Sequence, residues 1–267
     1  MTAVLDPHTS HLTRERPAVE ATKGVPFARL VRVELRKMVD TRAGRWMLIA
    51  MAAISLLVVG AMLIWGPPEE MTFETFVAMT AFPLMVLLPV VGIMAATAEW
   101  SQRTGLVTFT LEPRRGRVVL AKILAGAILG LVVIAAAFAA SALAHVLAIT
   151  ARGAAGDWHI GTKLVLGFVV AMTIFVVQGL AFGFSFLNTP VAIVASILLP
   201  TVWSIAGGIS QRLNSIGEWL DLNRTIEPLM AGSMSGEQWA HLGASTALWV
   251  GLPMAIGVWR VMTREVK

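Results

Sequence analysis

Five windows of the chain contain no Asp, Glu, Lys or Arg: 46–68, 75–98, 123–151, 164–211 and 242–259. A helix needs about 20 apolar residues to cross the hydrocarbon of a bilayer. Four of the windows therefore hold one span each, and 164–211 holds two. Apolar runs of this length read as membrane-crossing helices. The fold class that follows is an all-α membrane protein with six transmembrane helices. Hydrophobic residues make up 57% of the 267 positions and charged residues 14%, where a soluble domain carries about 25% charged residues. Disordered chains, coiled-coil rods and most soluble enzymes are excluded.

The expected spans are 47–65, 76–98, 118–149, 164–187, 191–209 and 242–259. Gly66, Pro67 and Pro68 end the first, and Asn188-Thr189-Pro190 makes a tight reversal between the fourth and fifth. Ser235-Gly236-Glu237-Gln238 has capping-box spacing, so the last helix starts before the membrane. Residues 26–267 form one six-span membrane domain. Residues 1–25 read as a flexible polar tail without the apolar run of a signal peptide.

Charge sets the orientation. Nine Lys/Arg precede the first span, five lie in 99–122 and three in 260–267, leaving four for the other side. Basic residues accumulate in cytoplasmic loops, so both termini are expected in the cytoplasm. The net charge of +5 has the same origin and does not call for nucleic acid. Trp46, Trp65, Trp100, Trp158, Trp239 and Trp259 fall at span ends, as an interfacial belt does.

The chemistry of catalysis is missing. There is no cysteine, no phosphate-binding loop, no His-Glu-x-x-His and no pair of intramembrane aspartates. No catalytic, cofactor-binding or metal site is assigned. The span interiors read as free of charge, which argues against a proton relay. His145 remains, and reads as a locally hydrogen-bonded interfacial histidine. Gln178 reads as an interhelical hydrogen-bonding residue, or with Thr201 and Ser204 as a candidate substrate path. Gly126-x-x-x-Gly130 and Gly179-x-x-x-Gly183 permit close helix approach.

Two elements outside the spans carry pattern. In 27–42, apolar Phe27, Leu30, Val31, Leu35, Met38 and Val39 follow helical spacing, with Arg29, Arg32, Arg36 and Lys37 on the other side. That is a basic amphipathic helix, expected in the inner membrane interface. The loop after the second span opens on Glu99 and Trp100, continues through Arg103 and Thr104, and carries an apolar stretch from Leu106 through Phe109 to Leu111 before Pro113. Apolar residues between charges in a short loop read as a docking surface.

This order of features resembles the permease subunit of an ATP-binding-cassette exporter of the type 2 superfamily. The features are the basic helix with Val33-Glu34-Leu35-Arg36-Lys37, two spans, Glu99-Trp100 through Thr104, and Leu111-Glu112-Pro113-Arg114-Arg115. The resemblance covers about 27–267. It implies that 99–113 docks onto an ATPase, that 27–42 is a connecting helix, and that 210–241 forms short outer helices. It implies two separate ATPase subunits that bind ATP and Mg, a second permease copy forming a homodimer, and a bacterial cytoplasmic membrane. The chain itself would hold no cofactor, be no enzyme, and contact only lipid and protein. Its cargo would be hydrophobic or amphipathic. Two rival readings share the six spans: a membrane scaffold or signalling component, and a lipid-modifying enzyme.

Overall fold

The computed structural model describes residues 24–207 and 211–265. Most of the expected tail, the end of the fifth expected span and the last two residues lie outside the described residues. All regular structure among the described residues is helical. α1 is Phe27–Asp40, α2 Arg42–Trp65, α3 Phe73–Ser101, α4 Gly105–Leu111, α5 Arg115–Arg152, α6 Thr162–Phe186, α7 Thr189–Gly207, α8 Gln211–Leu220, α9 Leu222–Met230, α10 Gly236–Thr246 and α11 Leu252–Thr263. Helices α2, α3, α5, α6 and α7, with the continuous α10–α11 segment, are long and apolar enough to cross a membrane. This is the architecture of a multi-pass membrane protein.

The helix ends follow local chemistry. Thr41 and Thr72 accept hydrogen bonds from Gly44 and Thr75 and cap α2 and α3. Gly153, at φ +70°, closes α5 in the left-handed conformation that glycine adopts freely. Asn188 accepts from the Val191 amide at the start of α7, and Pro190 occupies the first turn, where no amide donor is required. The capping box at Ser235 and Gln238 forms as its spacing predicts. Between α10 and α11 the chain widens into a π-turn, Ala247–Gly251. Pro253 lacks the amide that would bond the Trp249 carbonyl, and its ring crowds that carbonyl, so a wider turn relieves both.

The core is built around α6. Helices α3 and α6 share the largest interface in the fold, and both glycine motifs serve packing. Gly126 and Gly130 of α5 lie against Leu180 and Val176 of α6, while Gly179 and Gly183 of α6 lie against Pro89 and Ala96 of α3. A Cβ at Gly179 would stand 1.9 Å from the Pro89 carbonyl oxygen, a backbone atom with nowhere to go. At Gly126 it would meet side-chain tips instead, Leu180 at 2.9 Å and Val176 at 3.3 Å. Gly179→Ala is therefore expected to destabilise by about 3 kcal/mol, the upper part of the overpacking range, and Gly126→Ala by clearly less. Thermal melting of the two variants in detergent checks the order.

Helices α2 and α7 are the least covered of the six. On α7, Val191, Val194, Ile197, Leu198, Val202 and Ile205 face outward. Within the 210–241 segment expected to form short helices, α8 and α9 do so, with Ile226 and Leu229 of α9 in the core.

Candidate functional site

The described chain ends and α4 meet at one end of the bundle. Arg115, at the start of α5, donates to the carbonyls of Val261 at 2.8 Å and Arg264 at 2.7 Å. Arg260 of α11 donates to the Ser185 carbonyl near the end of α6. Each guanidinium thus occupies the negative end of a helix dipole and supplies donors to unpaired carbonyls. Arg117 donates to the Val25 carbonyl at 2.7 Å and to buried Glu112 at 2.6 Å.

The apolar stretch of the loop is a two-turn helix, α4. Leu106, Val107 and Leu111 are 55%, 60% and 72% exposed. Phe109 turns inward onto Trp100, with ring centroids 6.5 Å apart, and the Arg115 guanidinium lies 4.9 Å from the Phe109 ring. Arg103 adopts a left-handed backbone, φ +55°, and the Thr104 amide donates to the Glu99 carbonyl at 3.0 Å. That turn redirects the chain from α3 into α4. Arg103, Thr104 and Pro113 stay exposed. Trp100 is half-buried and lies under the Arg264 guanidinium, 5.4 Å away. It seats α4 from inside rather than offering a free face, so the outward apolar surface belongs to Leu106, Val107 and Leu111.

Beneath this end lies a buried ionic cluster from three helices. Lys122 of α5 donates to Glu34 of α1 at 2.6 Å and to the Ala95 carbonyl of α3 at 3.0 Å, and lies 2.9 Å from Glu99 of α3. Lys37 of α1 bonds Glu34 at 2.7 Å and Glu99 at 3.1 Å. Two carboxylates and two ammonium groups cancel, which is the condition for keeping charge in a low-dielectric interior. Glu34, Glu99 and Lys122 are buried, while Lys37 remains 35% exposed. Burial opposes the Lys37 charge, but Glu99 and Glu34 outweigh it and hold its pKa above the usual lysine range.

These placements correct three sequence readings. The ends of α3 and α5 nearest α4 are not free of charge, because Lys122 lies within α5 and Glu99 within α3. Glu99 faces inward to the cluster and is closed to an external partner. Helix α1 does not turn its apolar side to lipid as a simple interfacial helix would. Leu30, Val31, Glu34 and Met38 are buried on the bundle, whereas Phe27, Val33 and Val39 are exposed with Arg29, Arg32 and Arg36. Lys122 was absent from the sequence-based site. Its signal was weak: one lysine following the apolar run Val118–Ala121.

Candidate substrate residues are not gathered. Gln178 is buried in α6 without a side-chain hydrogen bond among the described residues, contrary to the interhelical bond expected. Thr201 donates back to the Ile197 carbonyl and faces outward on α7. Ser204 donates to Asp221 at 2.6 Å, tying α7 to the cap of α9. His145 is fully buried, its Nδ1 3.0 Å from the Met71 carbonyl, its ring edge-on to Trp158 at 4.7 Å. It is a packing residue that joins α5 to the 66–72 turn, and Trp158, still 47% exposed, packs its ring against it. No group of three or more metal-ligating side chains occurs among the described residues.

No protein-family model matches the chain, and no curated protein matches its sequence.

Proposed function

We propose that the chain is the membrane-spanning permease subunit of an ATP-driven exporter, moving a hydrophobic or amphipathic substrate outward with a separate ATPase. The observation that supports this best is α4: a short helix at the arginine-rich end, seated from inside by Trp100 and Phe109, with three apolar side chains directed outward. Exposed apolar clusters flanked by charge mark interaction sites. The ionic cluster gives that surface a mechanical connection, since α1, α3 and α5 are tied to one another directly below it.

In this reading the arginine-rich end is cytoplasmic, in keeping with the Lys/Arg asymmetry, and the membrane is the bacterial cytoplasmic membrane. ATP and Mg bind the partner ATPases, two per complex. A second copy of the permease covers the outward apolar face of α7, and cargo passes between the copies. Closure of the ATPases shifts the pair between inward-open and outward-open populations.

Reconstitution tests the reading. Permease and the ATPase that co-purifies with it, placed together in liposomes, are expected to transport only with ATP and Mg. Transport by the permease alone, driven by a pH gradient, overturns the proposal.

A further inference from the structure

Helix α1 carries two faces of different chemistry. One packs on the bundle through Leu30, Val31, Glu34 and Met38. The other presents Arg29, Arg32 and Arg36, all exposed. They stand three and four residues apart, so they form one row along the helix, about 10 Å long at 1.5 Å per residue. Val33 and Val39 flank the row and are 43% and 37% exposed.

The fold makes no use of these charges. Arg115 and Arg260 satisfy carbonyls, and Arg117 pairs with Glu112. Lys37 and Lys122 neutralise Glu34 and Glu99. The guanidiniums of Arg29, Arg32 and Arg36 make no hydrogen bond or ion pair among the described residues. Within the helix the row is unfavourable. Like charges at this spacing repel, and the first turn has no acidic residue to offset Arg29 at the positive end of the dipole. Asp40, at the far end, is the one exposed acid of α1, and it forms no ion pair among the described residues. An external anion relieves this repulsion.

The level of α1 in the bundle says which anion. Glu34 meets Lys122, seven residues into α5. Lys122 also reaches the carbonyl of Ala95, six residues before the end of α3. The middle of α1 is therefore level with points about 10 Å inside both helices. It lies beside the ends of the spans rather than beyond them. Thr41 alone joins it to α2, with ψ 148° turning the chain, and Trp46, five residues on, is 70% exposed. Tryptophan at a span end marks the headgroup region. The arginine row thus faces away from the bundle at the depth of lipid phosphates. Arg103 and Arg114, in contrast, flank α4 in the segment between two spans.

We propose that the outward face of α1 binds anionic phospholipids, with Arg29, Arg32 and Arg36 donating to their phosphodiester headgroups. Guanidinium and phosphate match in geometry and charge, and Val33 and Val39 meet the upper acyl chains. Each basic side chain near an anionic membrane surface adds about fivefold to affinity. The site rests on the six-span fold and is independent of any ATPase coupling.

Native mass spectrometry of the full chain in detergent tests this, with phosphatidylglycerol and phosphatidylcholine of the same acyl chains titrated separately. Phosphatidylglycerol is expected to bind more tightly. Arg29→Gln with Arg32→Gln and Arg36→Gln is expected to weaken it at least about tenfold, leaving phosphatidylcholine unchanged. The triple variant is expected to melt no lower than wild type in lipid-free detergent, since its like charges are gone; a lower melting temperature shows that the row serves the fold and overturns the proposal. Excess inorganic phosphate is expected not to displace the lipid, and displacement overturns lipid recognition. Arg103→Gln with Arg114→Gln removes two other arginines whose guanidiniums lack partners among the described residues, and is expected to keep the preference. An equal loss there means net charge alone selects lipid, and overturns the proposal. Unchanged preference in the triple variant does so as well; if that variant has also lost the ATPase captured with the wild-type chain, the face belongs to an acidic protein.

Discussion

Lys122→Met is expected to be among the most damaging single substitutions in this chain, costing about 3–5 kcal/mol, as removal of one partner from a buried ion pair does. For a chain of this size that is roughly 6–20 °C in melting temperature. Lys122 is the buried cation that reaches Glu34, Glu99 and the Ala95 carbonyl together. Without it, two buried carboxylates share only Lys37, and the cluster changes from neutral to a net charge of −1. Removing a carboxylate as well, in Lys122→Met with Glu34→Leu, leaves the neutral Lys37–Glu99 pair. The double variant is expected to melt above Lys122→Met alone. Lys37→Met is expected to cost less than Lys122→Met, because water reaches the Lys37 side. The pKa of Lys37 is raised in the fold, so its contribution is fully present below about 10.5, the ordinary lysine value. It is lost only as pH rises through the folded value. Melting curves in detergent across the neutral range should therefore show no pH dependence from this residue. Equal melting of Lys122→Met and the double variant would show that net charge does not govern the cluster.

The six spans were legible because each is a local signal, an uninterrupted apolar run, and hydrocarbon leaves a run of that length few conformations. Capping at Ser235, the reversal at Asn188 and the packing glycines were legible for the same reason. The ionic cluster was not, since Lys122 pairs with a residue 88 positions away. Counting charges does not show where such a residue points, and only tertiary packing shows that its charge is cancelled inside. Part of the signal was nevertheless present. Glu34 falls four residues from both Leu30 and Met38, in the middle of the stripe that α1 buries. A carboxylate in an apolar stripe requires a buried cation, and that reasoning would have led to a search for one. The inward turn of Trp100 depended on Arg264, 164 residues later, and no local pattern announces such a contact.

The outward face of α4 is where the proposed function is most exposed to test. Leu106, Val107 and Leu111 make no structural demand on the bundle, since Phe109 supplies the inward anchor. Leu106→Asp with Leu111→Asp is therefore expected to leave the permease inserted, with melting unchanged. Apolar anchors at interface centres typically cost about 2 kcal/mol or more on removal, so ATPase affinity is expected to fall at least about 30-fold. Trp100→Ala acts differently. It removes the surface on which Phe109 and Arg264 pack, so it should lower melting temperature and ATPase affinity together, through a loosened α4. Trp158→Ala, in the His145 cluster at the other end, should disturb melting while sparing ATPase binding. The measurement is the affinity, in nanodiscs, of the ATPase captured with the wild-type chain. Unchanged affinity in the double aspartate variant would remove α4 from the coupling surface. The exporter reading would then rest on the Lys/Arg asymmetry and the uncharged middle of the spans, which a scaffold with six spans would share.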